Sequence, residues 1–399
     1  MDQQYKPLFN RTYLKILPWI VAIVIVLLTA RSQDSSSDGY ETLQDNWIYL
    51  SIDQERQYDQ LKLVYPLSPA FSEQQTQKRI ALQTSFRQAL QAEKSITAQW
   101  HEDKVIFTIR LPAEPTHKAT DASFSLKTLL DTLTTSASQY YPQALQHAGA
   151  ERYLALNTID ELALSNFKAQ LLTPSTTITS DNIHSLFSNR PTALLALKEE
   201  NDSLSQLISD QLKIHYPFAA SEPTPSLTAP SQISLQHRGP SYLFLIGQAI
   251  PADNHNTSRS VAFHFISQTL KEVANNKLSH YRLLLRPSVP LGYAALSMTQ
   301  NSPFRANVIN NLKTHLLEKL NNDQLEEIKA VLAEQYSEQF TNTEMRTDML
   351  AIHLFSAEKL QSPDEFRDTL TSISTQQIRA YIEALLNPEN AIIVKISPP

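Results

Sequence analysis

The residues whose types best suit them to chemistry are an arginine and a tyrosine seven positions apart, in the run LSHYRLLLRPSVPLGY from Leu278 to Tyr293. Arg286 would supply a fixed cation and Tyr293 a phenolic donor, and both suit a carbonyl oxygen that gains negative charge. Both residues also have ordinary structural roles, because an arginine at a helix end complements the dipole and a tyrosine that opens a strand is often core. The surrounding elements must decide between these interpretations.

Histidines near carboxylates are the candidates for a metal site. His315 and Glu318 are three residues apart, as in the zinc-binding motif H-x-x-E-H. Lys319 occupies the position of the second histidine of that motif. His147 and Glu151 are four apart, and no third ligand is evident near them. A helical histidine with a nearby glutamate is usually a surface pair, so the sequence predicts no metal and no other cofactor.

Composition excludes several function classes. The chain has 399 residues, 42% of them hydrophobic, which is enough for two ordinary globular domains. Its net charge of −6 is spread along the sequence, so we expect no nucleic-acid partner. None of the five glycines stands in a phosphate-binding motif, and the absence of cysteine excludes disulfides and thiolate zinc sites.

An uncleaved transmembrane anchor is predicted at residues 14–30, between a cytoplasmic tail at 1–13 and a polar tether at 31–45. The apolar segment is about 18 residues long if it is extended back to Tyr13, close to the hydrocarbon thickness of a bilayer. Basic residues precede it and acidic residues follow it, so the positive-inside rule places the N-terminus in the cytoplasm and the bulk in the periplasm, attached to the inner membrane. A cleaved signal peptide is the alternative.

The next region, residues 46–215, has an α+β pattern. Two β-rich runs, Trp47–Ile52 and Gln60–Leu67, are separated by a polar turn and predict a hairpin. The other elements expected in this half are a helix at 73–94, a strand at 105–111, helices at about 123–140 and 142–172, a strand at 192–197 and a helix through Leu204 to Leu212.

A proline-rich linker at 216–239 separates this half from a second half at 240–399. The second half is expected to follow the same plan, which hints at an internal duplication. Its predicted elements are a strand at 241–250, a helix from about 258 to 286, a strand from Gly292, helices filling 304–386 and a last strand, AIIVKI.

Two motifs in the second half resemble the insulinase/pitrilysin family of zinc metallopeptidases, which includes the mitochondrial processing peptidases. The family has a segment L-R-E-x-x-G-L-A-Y, and the run from Leu285 to Tyr293 has its arginine and tyrosine at the same separation. The family's closing pattern of a helix, P-E-N and a strand is matched by Pro388-Glu389-Asn390 before AIIVK. The resemblance implies two related halves, each a mainly antiparallel sheet packed by helices.

The zinc motif of the family is missing. Active members carry H-x-x-E-H on the first helix, and here the corresponding positions are Ser85, Gln88 and Ala89. Serine and alanine do not bind zinc, and a glutamine amide cannot act as general base. Glu161 is the nearest candidate for the family's third ligand.

The resemblance therefore implies a degenerate, non-catalytic member. In the family, the arginine and tyrosine reach across to the zinc half and bind the substrate backbone, so Arg286 and Tyr293 are the predicted substrate-binding residues. Family heterodimers pair a chain that has H-x-x-E-H with one that has lost it. Our leading hypothesis is the non-catalytic subunit of such a heterodimer, with a zinc peptidase partner and a polypeptide substrate. The alternative is a stand-alone envelope binding or scaffold protein that uses the cleft between the halves, and an active peptidase is the least favoured.

Overall fold

The computed structural model describes residues 39–44, 46–111, 125–172, 182–216, 230–251, 256–275, 280–287, 291–356 and 358–399. The predicted cytoplasmic tail and transmembrane anchor lie outside these residues. Within them, no helix is both long and apolar enough to cross a membrane.

The first half contains a six-stranded sheet whose spatial order is β1-β2-β6-β3-β5-β4. Its elements, in chain order, are β1 Glu41–Gln44, β2 Ile48–Ile52, β3 Gln60–Pro66, α1 Glu73–Leu90, β4 Ile96–Trp100, β5 Lys104–Arg110, α2 Leu126–Ala155, α3 Ile159–Ala169, α4 Ile183–Leu186, β6 Thr192–Leu197 and α5 Asp202–His215.

The second half contains a five-stranded sheet of order β7-β11-β8-β10-β9. Its elements are β7 Ser231–Gln236, β8 Tyr242–Pro251, α6 Asn256–Asn275, β9 His280–Arg286, β10 Leu291–Gln300, α7 Val308–Lys319, α8 Asn322–Thr341, α9 Thr343–Phe355, α10 Pro363–Thr371, α11 Thr375–Leu385 and β11 Ile392–Ser397. The α+β class is confirmed. β7 lies inside the predicted linker at 216–239, so part of that segment is a strand and not a spacer.

The hairpin predicted from the first two β-rich runs is wrong. β2 pairs in parallel with β6, and β3 lies between β6 and β5. The physical reason is the burial of β6, whose residues Ala193 to Leu197 are all buried. A strand that is apolar on both faces is most stable in the middle of a sheet, where it separates β2 from β3.

The helix predicted to run to Arg286 is also wrong at its C-terminal end. α6 ends at Asn275, and His280–Arg286 is the strand β9, paired antiparallel with β10. Leucine and arginine favour helices, but pairing with a buried neighbouring strand overrides that preference. The seven-residue separation of Arg286 and Tyr293 is therefore the register of a β-hairpin, in which these two residues are directly opposite each other.

The two halves share one topology. The order β2-β6-β3-β5-β4 in the first sheet corresponds to β7-β11-β8-β10-β9 in the second. In both of these five-strand series the first pair is parallel and the others are antiparallel. A helix also separates the corresponding strands in each half, α1 between β3 and β4 and α6 between β8 and β9. The duplication that the sequence only hints at is therefore present in the fold.

Each half contributes one helix to the other half's sheet. Ala163 and Phe167 of α3 belong to a core cluster with Leu245 and Val394 of the second sheet. Leu350 and Leu354 of α9, together with Ala351, pack in the same way against Val64, Ile106 and Leu194 of the first sheet. The predicted boundary near residue 216 therefore separates the two halves in sequence, but the halves share core contacts in the structure.

A buried ion pair holds α9 on the first sheet. Lys62, a buried residue of β3, donates from Nζ to Asp348 Oδ1 at 2.6 Å and to Thr108 Oγ1 at 3.1 Å. Asp348 is 30% exposed at its side chain, so this pair is only partly shielded from solvent. It nevertheless ties the second half to the centre of the first sheet.

Removing Asp348 should leave the buried Lys62 ammonium without its counter-charge. We expect Asp348→Ala to lower the free energy of unfolding by about 2 kcal/mol, less than for a fully buried pair because Asp348 is partly exposed. Adding Lys62→Met should recover most of that loss, since the uncompensated charge is then removed. Urea unfolding of both variants checks this, and a double variant no more stable than Asp348→Ala would contradict it.

Candidate functional site

The first predicted site lies on α1, which starts with a well-formed cap. Ser72 Oγ accepts from the backbone N–H of Gln75, and the Gln75 side chain accepts from the N–H of Ser72. This capping box fixes the start of the helix and hence which residues face inward. The zinc-motif positions lie three turns further on.

The zinc-motif positions point into the protein. Ser85 is completely buried, and its Oγ donates to the carbonyl of Leu82 at 2.9 Å. Ala89 belongs to the main core of the first half, and Gln88 is half-buried with an Oε1 that has no hydrogen-bond partner. Neither a metal ligand nor a general base stands at these positions, so the residues of α1 do not fit the zinc that active members of the family bind.

Small residues close the space between α1 and α2. Ala81 of α1 packs with Ala144 and Ala148 of α2. The Gln77 amide crosses the same contact and donates to the carbonyl of Leu145 at 3.2 Å. These contacts pack α1 directly against α2, one turn before Ser85.

The other metal candidates do not converge. Glu161, on α3, forms ion pairs with Arg152 at 3.3 Å and Arg282 at 3.6 Å. His147 and Glu151 are exposed on α2. Among the described residues, no group of three or more His, Asp or Glu could hold a metal ion.

Arg286 and Tyr293, in contrast, are brought together. Directly opposite residues of an antiparallel pair project to the same face, so their side chains are neighbours. Arg286 is exposed, and its Nη1 donates to the adjacent carbonyl of Leu285 at 3.1 Å, its one side-chain hydrogen bond among the described residues. Tyr293 is 3% exposed and packs edge-on against Phe71 and Phe167, with ring centroids 6.3 and 5.8 Å apart. The guanidinium is therefore accessible, whereas the phenol ring is mostly covered.

A lysine that sequence reasoning missed lies above this tyrosine. Lys168 of α3 places Nζ 5.9 Å from the centroid of the Tyr293 ring and 6.0 Å from that of Phe71. Burial lowers the pKa of Lys168, an effect that the carboxylate of Glu102 opposes. The sequence around Lys168 does not identify it as a site residue. It lies over β10 only because α3 packs against the second sheet.

Gly247 positions α3. A Cβ added at Gly247 would lie 2.6 Å from the Ala294 carbonyl oxygen, 2.7 Å from the Ala295 Cβ and 2.8 Å from Phe167 Cε2. Only a residue without a side chain allows the Phe167 ring to lie so close to β8. The glycine therefore fixes the helix that covers Tyr293.

Burial raises the pKa of the Tyr293 phenol above its usual range, and Glu102 raises it further, whereas Arg286 and Arg282 oppose the shift. The phenol is therefore neutral at physiological pH. It is a hydrogen-bond donor there and not an anion.

The raised pKa of Tyr293 predicts a pH effect on stability. In the unfolded chain a tyrosine ionises near pH 10, so the buried neutral phenol stabilises the fold fully below that pH and loses this contribution as the pH rises towards its folded pKa. We expect Tyr293→Phe to reduce the loss of unfolding free energy above pH 10 by about 1.4 kcal/mol per pH unit. Urea unfolding between about pH 9 and pH 11 checks this. Tyr153→Phe, at an exposed tyrosine, should leave the slope unchanged.

Comparison with known proteins gives likeness of structure only. No protein-family profile matches the chain, and no curated protein matches it by sequence. An M16 peptidase inactive domain from Pseudomonas fluorescens matches with a TM-score of 0.66 and 13% identity, covering 90% of this chain and 98% of that one. The chain has the M16 peptidase fold.

Two further structures have the same M16 likeness. A protease from Helicobacter pylori has a TM-score of 0.61 and 12% identity, over 90% of this chain and 99% of that one. The first half of the periplasmic protease PqqL from Escherichia coli has a TM-score of 0.55 and 12% identity, over 91% and 92% of the two chains. The insulinase/pitrilysin-like fold predicted from the two second-half motifs is confirmed, and at these identities the likeness extends to the fold alone.

Proposed function

We propose that this chain is a catalytically inactive, membrane-anchored M16-like protein that binds polypeptide as the non-catalytic subunit of a zinc peptidase. The observation that carries the proposal is the contrast between the two halves. The motif positions on α1 are a buried serine, a half-buried amide and a core alanine, whereas Arg286 and Tyr293 lie side by side on a hairpin. A site that has only substrate-binding groups needs a partner for its chemistry.

The groups at the pair suit a polypeptide backbone. Arg286 offers an exposed guanidinium, most of whose N–H groups have no partner among the described residues, and the neutral phenol of Tyr293 is a second donor beside it. Carbonyl oxygens are acceptors for both groups, and developing negative charge on such an oxygen would strengthen both interactions. This chain would therefore hold and polarise a substrate carbonyl, and a partner chain bearing H-x-x-E-H would supply the metal and the base.

Localisation is part of the proposal. The apolar segment at 14–30 and the charges that flank it support a single-pass anchor in the inner membrane, with the two halves in the periplasm. The bilayer would then keep this subunit beside its partner at a high local concentration.

The proposal is tested with the full-length chain in mild detergent, alone and mixed with an H-x-x-E-H chain that co-purifies with it. We expect the chain alone to be metal-free and inert, and the mixture to cleave peptides faster than the partner alone. Arg286→Gln with Tyr293→Phe should weaken this stimulation, whereas Arg379→Gln, at an exposed arginine on α11, should not. One tightly bound zinc together with peptide cleavage by the chain alone would refute the proposal.

The burial of Tyr293 favours a second candidate function. If Phe71 and Phe167 keep the phenol covered, the tyrosine is a packing residue, and the chain is a stand-alone envelope scaffold that holds polypeptide between its halves. Such a protein would bind its target without a zinc partner. Substituting both Arg286 and Tyr293 would then leave its function intact, which separates it from the subunit proposal.

A further inference from the structure

Two cations, one from each half of the chain, lie next to Tyr293. Lys168 lies over the ring from α3, and Arg286 lies beside it on β9. Within the described part of the chain, neither side chain has a carboxylate within ion-pair distance. The Arg286 side chain makes its only hydrogen bond to a described residue with a neighbouring backbone carbonyl.

The surrounding cations already have partners. Arg152 and Arg282 share the carboxylate of Glu161, at 3.3 and 3.6 Å. Arg79 donates to the carbonyls of Glu102, at 3.1 Å, and Ser68, at 2.5 Å. Lys168 and Arg286 are therefore the two cations of this group that remain available to a ligand.

The charge balance around the ring is positive. The ionised groups that act on Tyr293 and Lys168 include the carboxylates Glu102 and Glu161 and the cations Arg79, Arg152, Arg282 and Arg286. A third carboxylate, Glu73, accepts from Ser165 Oγ of α3 at 3.3 Å. They come from both halves, because Arg79 and Glu102 belong to the first and β9 to the second. An anion bound there gains attraction from the excess of positive charge. In a polypeptide ligand, a carboxylate is the anion that can meet this excess.

We infer that Lys168, which lies over the Tyr293 ring, and Arg286, which lies opposite Tyr293 on β9, form a carboxylate-binding subsite that selects acidic segments of polypeptide. The inference rests on the proposed function, since it names the class of polypeptide held at that site. The half-buried Lys168 ammonium supplies attraction that solvent screens only partly, and the Arg286 guanidinium supplies a planar pair of donors. The carboxylate has two sources, an acidic side chain within the polypeptide or its free C-terminus.

Three peptides of about a dozen residues separate these sources. One is uncharged with both ends blocked, one is the same peptide with two central glutamates, and one is the uncharged peptide with a free C-terminus. Binding to the full-length chain is measured by fluorescence anisotropy at low and high salt. The variants are Lys168→Met, Arg286→Gln and the control Arg379→Gln. Methionine removes the charge of Lys168 but keeps a side chain of similar length over the rings. Arg379 is on α11, which packs against the opposite face of the second sheet.

The expected result is that at least one carboxylate-bearing peptide binds about fivefold more tightly than the blocked peptide for each carboxylate engaged, and that salt weakens this preference. Preference for the glutamate peptide identifies the side chain as the source, and preference for the free C-terminus identifies the terminus. Lys168→Met and Arg286→Gln should each reduce the preference, with Arg379→Gln unchanged and thermal unfolding confirming that all variants are folded.

Equal binding of the three peptides would overturn the subsite and leave the proposed polypeptide binding standing. A carboxylate preference that survives both substitutions would also overturn it, because the recognition would then lie elsewhere. If no peptide binds, the proposed polypeptide binding fails, and the subsite fails with it.

Discussion

Restoring the zinc motif by Ser85→His, Gln88→Glu and Ala89→His is expected to destabilise this chain and not to create a zinc site. Ser85 and Ala89 are 0% and 4% exposed, so each imidazole would enter a filled core. Overpacking costs about 1–3 kcal/mol at each position, and burying the polar rings adds to this. We expect the free energy of unfolding to fall by about 4 kcal/mol or more. Urea unfolding and metal analysis of the triple variant check the prediction.

The matched control places the same histidine spacing on the solvent side of this helix. Arg87 and Gln91 are both exposed, so Arg87→His with Gln91→His should change stability by no more than about 0.5 kcal/mol. A triple variant as stable as this control, with one zinc per chain, would contradict the prediction. It would mean that α1 and α2 can separate enough to admit a metal.

The expected loss of stability follows from how α1 packs. The apolar positions of α1 are suited to a peptidase helix, and the sequence is sufficient to predict both that helix and the absence of zinc ligands at the motif positions. It does not show that Ala81 packs with Ala144 and Ala148, because these residues come from helices about 60 positions apart. The structure adds that two of the three motif positions, Ser85 and Ala89, are buried in the core of the first half.

Elements with strong local patterns were predictable. The runs that became β6, β8 and β11 are apolar and bounded by turn residues, and they fall within a residue or two of the expected positions. β9 was not predictable in this way, since HYRLLLR suits either a helix or an edge strand. Its state is decided by β10, against which seven of its residues pair. The predicted hairpin of β2 and β3 was wrong for the same reason, since both strands pair with β6, which is distant in sequence.

The exchange of helices was the least predictable feature. The inward residues of α9, Thr347, Leu350, Ala351 and Leu354, have the spacing of an amphipathic helix. That spacing shows that the helix has a buried face but not which sheet covers it. The site around Tyr293 depends on this same exchange, because Lys168 and Phe167 reach β10 only when α3 crosses to the second sheet. Arg286 and Tyr293 were predictable from one local sequence motif, whereas Lys168 was not.

The second large effect is expected at Gly247, where the transferred helix meets the sheet. Gly247→Ala should lower the free energy of unfolding by about 3 kcal/mol, because the new methyl group meets a backbone oxygen and a Cβ that are held by strand pairing. The backbone cannot move without disturbing β10, so the Phe167 ring and α3 are the parts that must shift. We therefore expect increased exposure of Tyr293, measured by hydrogen exchange in β10 and by tyrosine fluorescence, together with the loss of stability in urea.

Gly149→Ala is the matched control, because the atom nearest to its new Cβ is Gln77 Nε2 at 2.8 Å, the end of a flexible side chain. That side chain can rotate away, and alanine is the better helix former by about 1 kcal/mol, so this variant should be near neutral. Adding Phe167→Leu to Gly247→Ala should recover part of the loss, since it removes one of the three close contacts. If Gly247→Ala were as stable as Gly149→Ala, α3 would not be fixed by this contact. The covered state of Tyr293, on which the choice between substrate binding and core packing depends, would then be one of several positions of the helix.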